Sequence, residues 1–270
     1  MVSNVKQLPL VDCLDKIQAN GRFYFTIEQV KNDCGISISS FRQQVKVLQK
    51  KGKVVLIRNG FYVIVPPEYR INGAPPVTHY IDGLMNALNR NYYIGLLNAA
   101  AWYGAAHQQP QSYTVVIQVP YLPVINKKFA SVHFLYKKEW DKAFILKKET
   151  SAGFINVSSP ALTAMDLCNY SKHVGGISQV ATVINELTEE IQIKDLELVA
   201  SNYNNLMAVQ RLGYIFEHLG KDEHAKSLKN FLSNKKMYPA KLEASNKNSS
   251  SRVTGNFWKI IVNEQIEIDE

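Results

Sequence analysis

Apolar residues recur at helical spacing near the start of the chain and predict two short helices. Val11, Leu14 and Ile17 place the first helix at about residues 10–19, before the stop signal Asn20-Gly21. Thr26 and Gln29 have the spacing of a capping box, in which each side chain satisfies a backbone donor at a helix start. We therefore expect a second helix that ends at Gly35.

A third helix is predicted to begin at Ser37 or Ser39 and to run to about Lys51. Its apolar residues share one face and would pack on the first two helices: Ile38, Phe41, Val45 and Leu48. The opposite face is polar and basic, and it carries Ser39, Gln43, Lys46 and Lys50 with Ser40 and Arg42 beside them.

The next apolar tract, Val54 to Val65, is rich in β-branched and aromatic residues and predicts a β-hairpin. Asn59-Gly60 at its centre favours a type I′ turn, which needs positive φ at both positions. Three helices followed by a hairpin are the order of a winged helix-turn-helix. Residues 71–76, INGAPP, predict a semi-stiff linker, so we place a winged helix-turn-helix domain at residues 1–70 and a second domain at 77–270.

The second predicted domain is organised around the longest charge-free stretch of the chain, Asn91 to Asn126. Within this stretch, Ile94 to Ala106 predicts a buried central helix. Gly95 and Gly104 are expected to allow close approach of neighbouring backbones, since glycine is otherwise unfavourable in a helix.

Downstream, the pattern changes from strands to helices. Four segments rich in β-branched and aromatic residues predict strands at residues 114–120, 132–136, 143–147 and 153–159. Helices are expected at about 160–170, 178–190, 193–203, 205–219 and 222–232, followed by a strand at 257–262. The expected fold class is α+β: an N-terminal winged helix-turn-helix followed by a larger mixed α/β domain with a small sheet and a helical C-terminal half.

The net charge of +8 is distributed unevenly along the chain. Residues 1–76 contain 11 Lys and Arg against 5 Asp and Glu, whereas residues 77–270 contain 20 against 18. Most of the excess positive charge therefore lies in the predicted winged helix-turn-helix. Basic modules of this kind favour the phosphate backbone of nucleic acids.

Cysteine usage and apolar run lengths indicate the compartment. Cys13, Cys34 and Cys168 lack the paired spacing of a zinc site or a redox motif, and we expect reduced core thiols. The chain shows neither a signal-peptide pattern nor an apolar run of roughly 18 residues. We therefore expect a cytoplasmic protein that does not contact a membrane.

Four segments of the chain resemble the AbiEi family of antitoxins, the regulatory halves of type IV toxin–antitoxin pairs. They are YYIGLLNAAAWYGAAHQQPQ (Tyr92 to Gln111), VSSPALTAMDL (Val157 to Leu167), GGISQVATVINEL (Gly175 to Leu187) and VQRLGYIFEHLG (Val209 to Gly220). Relatives often carry an acidic residue after the proline of the second segment, where this chain has Ala161. The resemblance implies an antitoxin that represses its own operon and opposes a nucleotidyltransferase-like toxin without forming a stable complex.

A winged helix-turn-helix that binds double-stranded operator DNA places its third helix in the major groove. Side chains in the N-terminal half of this helix are expected to contact base edges: Ser39, Ser40, Arg42 and Gln43. Residues further along the helix and in the wing are expected to contact phosphates: Lys46, Lys50 and Arg58. In the alternative interpretation this face is only solvated, and the winged helix is a protein-binding module.

Motifs for common enzyme chemistry are absent from the sequence. The chain has no GxxxxGK[ST] loop and no GxGxxG segment, and no acidic pair is suitably placed for two metal ions. We therefore predict no cofactor, no metal and no catalytic residue. The alternative hypothesis is an enzyme in which a winged helix is fused to a nuclease-like domain, and a nuclease assay with magnesium or manganese would distinguish the two.

Three features fit more than one interpretation. His107, after the predicted central helix, is either a helix C-terminal cap or a general base. Asp166 lies in an apolar helix, where a buried carboxylate must be hydrogen-bonded or paired, so its role is either structural or functional. Three lysine pairs fit either a solvated sheet edge or a second phosphate-contacting surface: Lys127-Lys128, Lys137-Lys138 and Lys147-Lys148.

Overall fold

The computed structural model of the protein describes residues 8–106, 110, 112–246 and 255–268. The chain divides into two compact units. Unit 1 comprises Met1–Tyr93, Gln111–Tyr136 and Lys147–Asn156, and unit 2 comprises Ile94–Pro110, Lys137–Leu146 and Val157–Glu270. Helices and sheets are both present, which confirms the α+β class. Unit 1 contains residues 1–70, the segment 71–76 and later stretches, and a functional boundary at 71–76 stays a prediction.

The first part of unit 1 has the connectivity of a winged helix-turn-helix. Its elements are α1 (Leu10–Ala19), β1 (Tyr24–Thr26), α2 (Ile27–Cys34), α3 (Ile38–Lys50), β2 (Val54–Arg58) and β3 (Phe61–Ile64). The three strands form an antiparallel sheet in the order β1-β3-β2. The predicted capping box is present, because the Gln29 amide donates to Thr26 Oγ1 at 3.2 Å and the Thr26 amide donates to Gln29 Oε1 at 2.9 Å.

A single apolar core holds these elements together, and it corrects two expectations. Phe41, Val45 and Leu48 lie in the core as predicted, but Ile38 is 48% exposed because it is the first residue of α3 and lies outside the α1–α2 contact. Cys13 and Cys34 form a disulfide rather than two reduced thiols. Because α1 packs on α2, the Cα atoms of Cys13 and Cys34 lie 6.2 Å apart, a distance that a disulfide can bridge.

The predicted hairpin is present, but its turn is not of type I′. Of the two turn residues, only Gly60 has a left-handed backbone, with φ +79°. The register also shifts between Leu56 and Arg58, so the hairpin accommodates its twist through a bulge rather than through a second left-handed residue.

A mixed sheet follows the winged helix in the chain, and most of its residues belong to unit 1. Helix α4 (Ile81–Ala87) precedes it, and its six strands are β4 (Tyr92–Ile94), β5 (Tyr113–Ile117), β6 (Ile125–Lys127), β7 (Ala130–Tyr136), β8 (Ile145–Thr150) and β9 (Gly153–Ser158). Their order is β6-β7-β5-β4-β9-β8, with β5 parallel and β6 antiparallel to β7.

In the predicted linker, Ala74 is buried, and a Cβ added at Gly73 would lie 3.2 Å from Phe129 Cβ.

Unit 2 consists mainly of helices. They are α5 (Leu96–Ala101), α6 (Pro160–Asn169), α7 (Ile177–Leu187), α8 (Ile193–Asn202), α9 (Leu206–His218) and α10 (Asp222–Leu232). Two short parallel strands, β10 (Ala240–Lys241) and β11 (Ile260–Ile261), complete the described part. Every residue from Ala161 to Cys168 of α6 is buried, so α6 is the helix at the centre of this unit.

The predicted central helix from Ile94 to Ala106 is therefore wrong in extent and in position. Tyr92–Ile94 form strand β4, and α5 spans only six residues. The helix ends because Gly104 is left-handed, with φ +75°, and the Ala105 amide donates to the Ala100 carbonyl at 3.1 Å. Gly104 therefore terminates a helix instead of allowing close packing, and a Cβ added there would meet no atom of the described residues within 4 Å.

None of the helices in the described ranges combines the length and the apolar character that a bilayer crossing requires.

Candidate nucleic-acid interface

Helix α3 has one buried face and one exposed face. Phe41, Val45 and Leu48 are each at most 5% exposed and fix the inner face in the core. The outer face presents five of the predicted base- and phosphate-contacting side chains to solvent: Ser39, Arg42, Gln43, Lys46 and Lys50. Their spacing by three, four and seven residues places these side chains on one side of the helix.

Gln44 fixes the position of α3 against the start of α1. Its Oε1 atom accepts a hydrogen bond from the Leu10 amide at 2.7 Å, and its Nε2 atom donates to Ser40 Oγ at 2.8 Å. Ser40 is half-buried, and its hydroxyl serves this contact, unlike the solvent-facing side chains of Arg42 and Gln43. Sequence reasoning missed Gln44 because a glutamine flanking a helix face gives no signal of its partner.

Arg58 lies at the end of β2, in the wing. Its Nη1 atom donates to the carbonyl oxygen of Pro123 at 3.2 Å, so the guanidinium is anchored on the loop between β5 and β6. The side chain is only partly exposed. The structure thus gives Arg58 a positioning contact that the sequence did not predict.

Additional lysines extend the basic character of the winged helix. Lys31 at the end of α2 and Lys51 and Lys53 between α3 and β2 are all exposed. They were not among the predicted contacts, although their charge is part of the N-terminal excess. Together with Lys46 and Lys50, they contribute to the positive excess of the module.

Asp166 is fully buried in α6, and the expectation that it is hydrogen-bonded and paired is confirmed. Its Oδ1 atom accepts from Lys137 Nζ at 2.7 Å and from the Tyr203 hydroxyl at 2.6 Å. The Lys137 ammonium also lies 4.2 Å from the centre of the Tyr203 ring. Such a compensated buried ion pair fits a structural role in unit 2.

The three lysine pairs do not share one environment. Lys127 and Lys128 are exposed at the end of β6, whereas Lys147 and Lys148 lie within β8 rather than at its end. Lys137 is directed to Asp166 and belongs neither to a solvated edge nor to a phosphate-contacting surface.

His107 lies outside the described residues. Across the described part of the chain, His, Cys, Asp and Glu nowhere gather in groups of three or more that could hold a metal ion.

Comparison with known proteins gives one family and one fold. Residues 93–218 match the family model of the AbiEi antitoxin C-terminal domain. The crystal structure of the RV2827C protein from Mycobacterium tuberculosis has a similar fold, with a TM-score of 0.67 and 16% identity over 96% of this chain and 94% of that chain. No curated protein matches the chain. The family match therefore identifies residues 93–218 as an AbiEi antitoxin C-terminal domain.

Proposed function

We propose that this antitoxin binds double-stranded operator DNA through α3 and the wing and represses its own operon. It acts in a type IV toxin–antitoxin system, opposite a nucleotidyltransferase-like toxin with which it forms no stable complex. The family match supports the antitoxin role, and the geometry of the winged helix supports the DNA-binding role.

The exposed face of α3 is the main observation that supports the DNA-binding proposal. The helix has 13 residues, which corresponds to a length of about 20 Å at the usual rise per residue. A helix of this size fits the major groove. Arg42 and Gln43 are exposed near its start, and these two side-chain types form bidentate hydrogen bonds with guanine and adenine, respectively.

Basic residues on the same helix provide the part of the DNA affinity that does not depend on base sequence. Arg42, Lys46 and Lys50 follow one another at four-residue spacing, so their charges line one side of α3. Cations in such a row contact successive phosphates and release counterions when they bind. Base contacts from Arg42 and Gln43 then add to a general affinity for DNA.

The antitoxin activity is assigned to the AbiEi domain. This domain acts as a regulatory module without catalytic residues, and it opposes the toxin at the toxin's target or product. The compensated Lys137–Asp166 pair supports a structural role for the most deeply buried carboxylate of this domain.

Binding of the full chain to its own promoter tests this proposal. A fluorescent promoter duplex and a scrambled duplex of equal length are titrated at several salt concentrations. We expect the promoter to bind tighter by about a thousandfold or more, and both affinities to fall steeply with salt. Equal affinity for the two duplexes would contradict operator recognition, and no binding at low salt would contradict DNA binding altogether.

A further inference from the structure

The loop between β5 and β6, residues 118–124, presents apolar side chains to solvent. Val119 is 66% exposed, Tyr121 is 74% exposed and Val124 is 50% exposed. Exposed apolar residues that lie together in one short segment indicate a contact surface more often than scattered ones do.

Hydrogen bonds from outside this loop hold its backbone in place. Arg90 donates from Nη2 to the Pro120 carbonyl at 3.0 Å and from Nη1 to the Gln118 carbonyl at 3.5 Å. The Tyr136 hydroxyl accepts from the Leu122 amide at 2.6 Å and donates to the Pro120 carbonyl at 3.2 Å. The ring of Tyr121 contacts that of Tyr136 at a tilt of 54°, with centroids 3.7 Å apart. The loop is therefore preorganised, so little conformational entropy is lost when it binds a partner.

The loop is joined to the wing. Arg58 at the end of β2 donates to the Pro123 carbonyl at 3.2 Å, and β6, which follows the loop, packs beside β2. Exposed Lys127 ends that strand, and exposed Lys128 follows it. Residues 118–128 include these two lysines and no acidic residue.

We propose that residues 118–124 form a second DNA-contacting element beside the wing. Tyr121 and Val119 pack against the sugar edges of the minor groove next to the site of α3, and Lys127 and Lys128 contact the flanking phosphates. Arg58 is a positioning residue that couples the wing to this loop. The inference rests on the proposed operator binding and extends its contact surface to the body of unit 1.

Charge favours DNA over a second copy of the chain as the occupant of this surface. In a two-fold dimer the same patch faces itself, so Lys127 and Lys128 would approach their own copies without an acidic partner in the segment. A polyanion instead compensates these lysines while its sugar edges cover the apolar side chains.

Three variants of the full chain test this assignment on the promoter duplex and the scrambled duplex. Tyr121→Ala is expected to weaken binding to both by about tenfold, since it removes a large apolar contact outside the bases. Lys127→Ala/Lys128→Ala is expected to lower the slope of log affinity against log salt by about two. Lys194→Ala/Lys226→Ala removes the same charge from exposed positions of α8 and α10 in unit 2, and it should leave that slope unchanged.

Each result decides one point. If wild type binds the promoter but Tyr121→Ala and Lys127→Ala/Lys128→Ala bind as wild type does, the loop is not a DNA contact, while the α3 proposal stands. If Tyr121→Ala changes the sedimentation coefficient of the free protein and leaves the DNA affinity unchanged, the loop joins two copies and the assignment is wrong. If wild type binds neither duplex, the operator proposal and this extension both fail.

Discussion

At the scale of single residues, Gly213 and Gly104 of unit 2 have opposite reasons to be glycine. Gly213 lies within α9, where an added Cβ would overlap the ring of Trp258. Trp258 is fully buried, and its indole donates to Glu217 Oε2 at 2.8 Å, so the ring has no room to move. An added Cβ at Gly104 would meet no described residue within 4 Å, but Gly104 has a left-handed backbone. The Trp258 ring therefore explains the glycine at position 213 of the segment VQRLGYIFEHLG. Position 104 requires glycine only because of its positive φ.

Substituting each glycine by alanine separates these two causes. Gly213→Ala should destabilise the chain by about 1–3 kcal/mol through overpacking. Gly104→Ala should cost about 1–2 kcal/mol through its backbone angle. A Trp258→Phe background makes room at α9, so it should reduce the cost of Gly213→Ala and leave that of Gly104→Ala unchanged. Urea unfolding of the single and double variants gives these coupling energies, and equal coupling at both glycines would contradict the account.

His79 of unit 1 is a buried imidazole with neutral neighbours. Its Nε2 atom lies 2.7 Å from Ser151 Oγ, and its Nδ1 atom has no hydrogen-bond partner among the described residues. The ring packs between Phe23 and Tyr69, with centroid distances of 5.1 and 5.7 Å. Burial lowers the pKa of His79 below its usual value of 6.5. The folded chain thus binds this proton less readily than the unfolded chain does.

The stability of the protein should therefore contain a component that is lost as the pH falls. This component is complete above pH 6.5, the unfolded pKa, and it decreases on acidification until the pH passes below the folded pKa. His79→Gln retains a polar partner for Ser151 and should lack this component. Unfolding free energies between pH 7.5 and 5 measure it, with His133→Gln on β7 as an exposed histidine control. The same pH slope in wild type and His79→Gln would show that His79 is not its source.

At the scale of elements, substitutions in α3 should distinguish sequence-dependent DNA affinity from general DNA affinity. Arg42→Ala and Gln43→Ala are each expected to cost about 1–3 kcal/mol on the operator and little on random DNA, because they remove base contacts. Lys50→Ala should weaken both by a similar factor, because it removes a phosphate contact. Fluorescence anisotropy on the two duplexes measures these effects. Parallel losses on both duplexes for all three variants would show that α3 does not contact bases.

Local signals predicted the elements of the winged helix, because its helices begin at Thr26 and Ser37 through contacts three residues apart. The helices of unit 2 from α6 to α10 were predicted within a few residues, because their apolar spacing and the glycines between them are also local signals. The central helix was not, since composition alone does not reveal that Leu96, with φ +55°, and Gly104 are left-handed. The predicted α3 side chains are exposed as expected, except half-buried Ser40. The loop at 118–124 escaped prediction because its anchor Arg58 lies 65 residues away in sequence.

At the scale of the whole molecule, we assign operator recognition to the winged helix and antitoxicity to the AbiEi domain at residues 93–218, which also contains the proposed DNA-contacting loop 118–124. The charge distribution agrees with this division, since residues 1–76 hold most of the positive excess. The predicted boundary at residues 71–76 does not coincide with the compact units, because unit 1 also includes Gln111–Tyr136 and Lys147–Asn156. Variants of the full chain are therefore a better test of the division than fragments.

The most direct measurement scores promoter repression and growth rescue from the cognate toxin in the same cells. It compares wild type with Arg42→Ala/Gln43→Ala, which changes only exposed α3 side chains, and with the charge control Lys194→Ala/Lys226→Ala, with antitoxin and toxin levels matched. We predict that the α3 variant loses repression and still rescues growth, while the control retains both. An α3 variant that still represses the promoter, or that fails to rescue growth at matched levels, would contradict it.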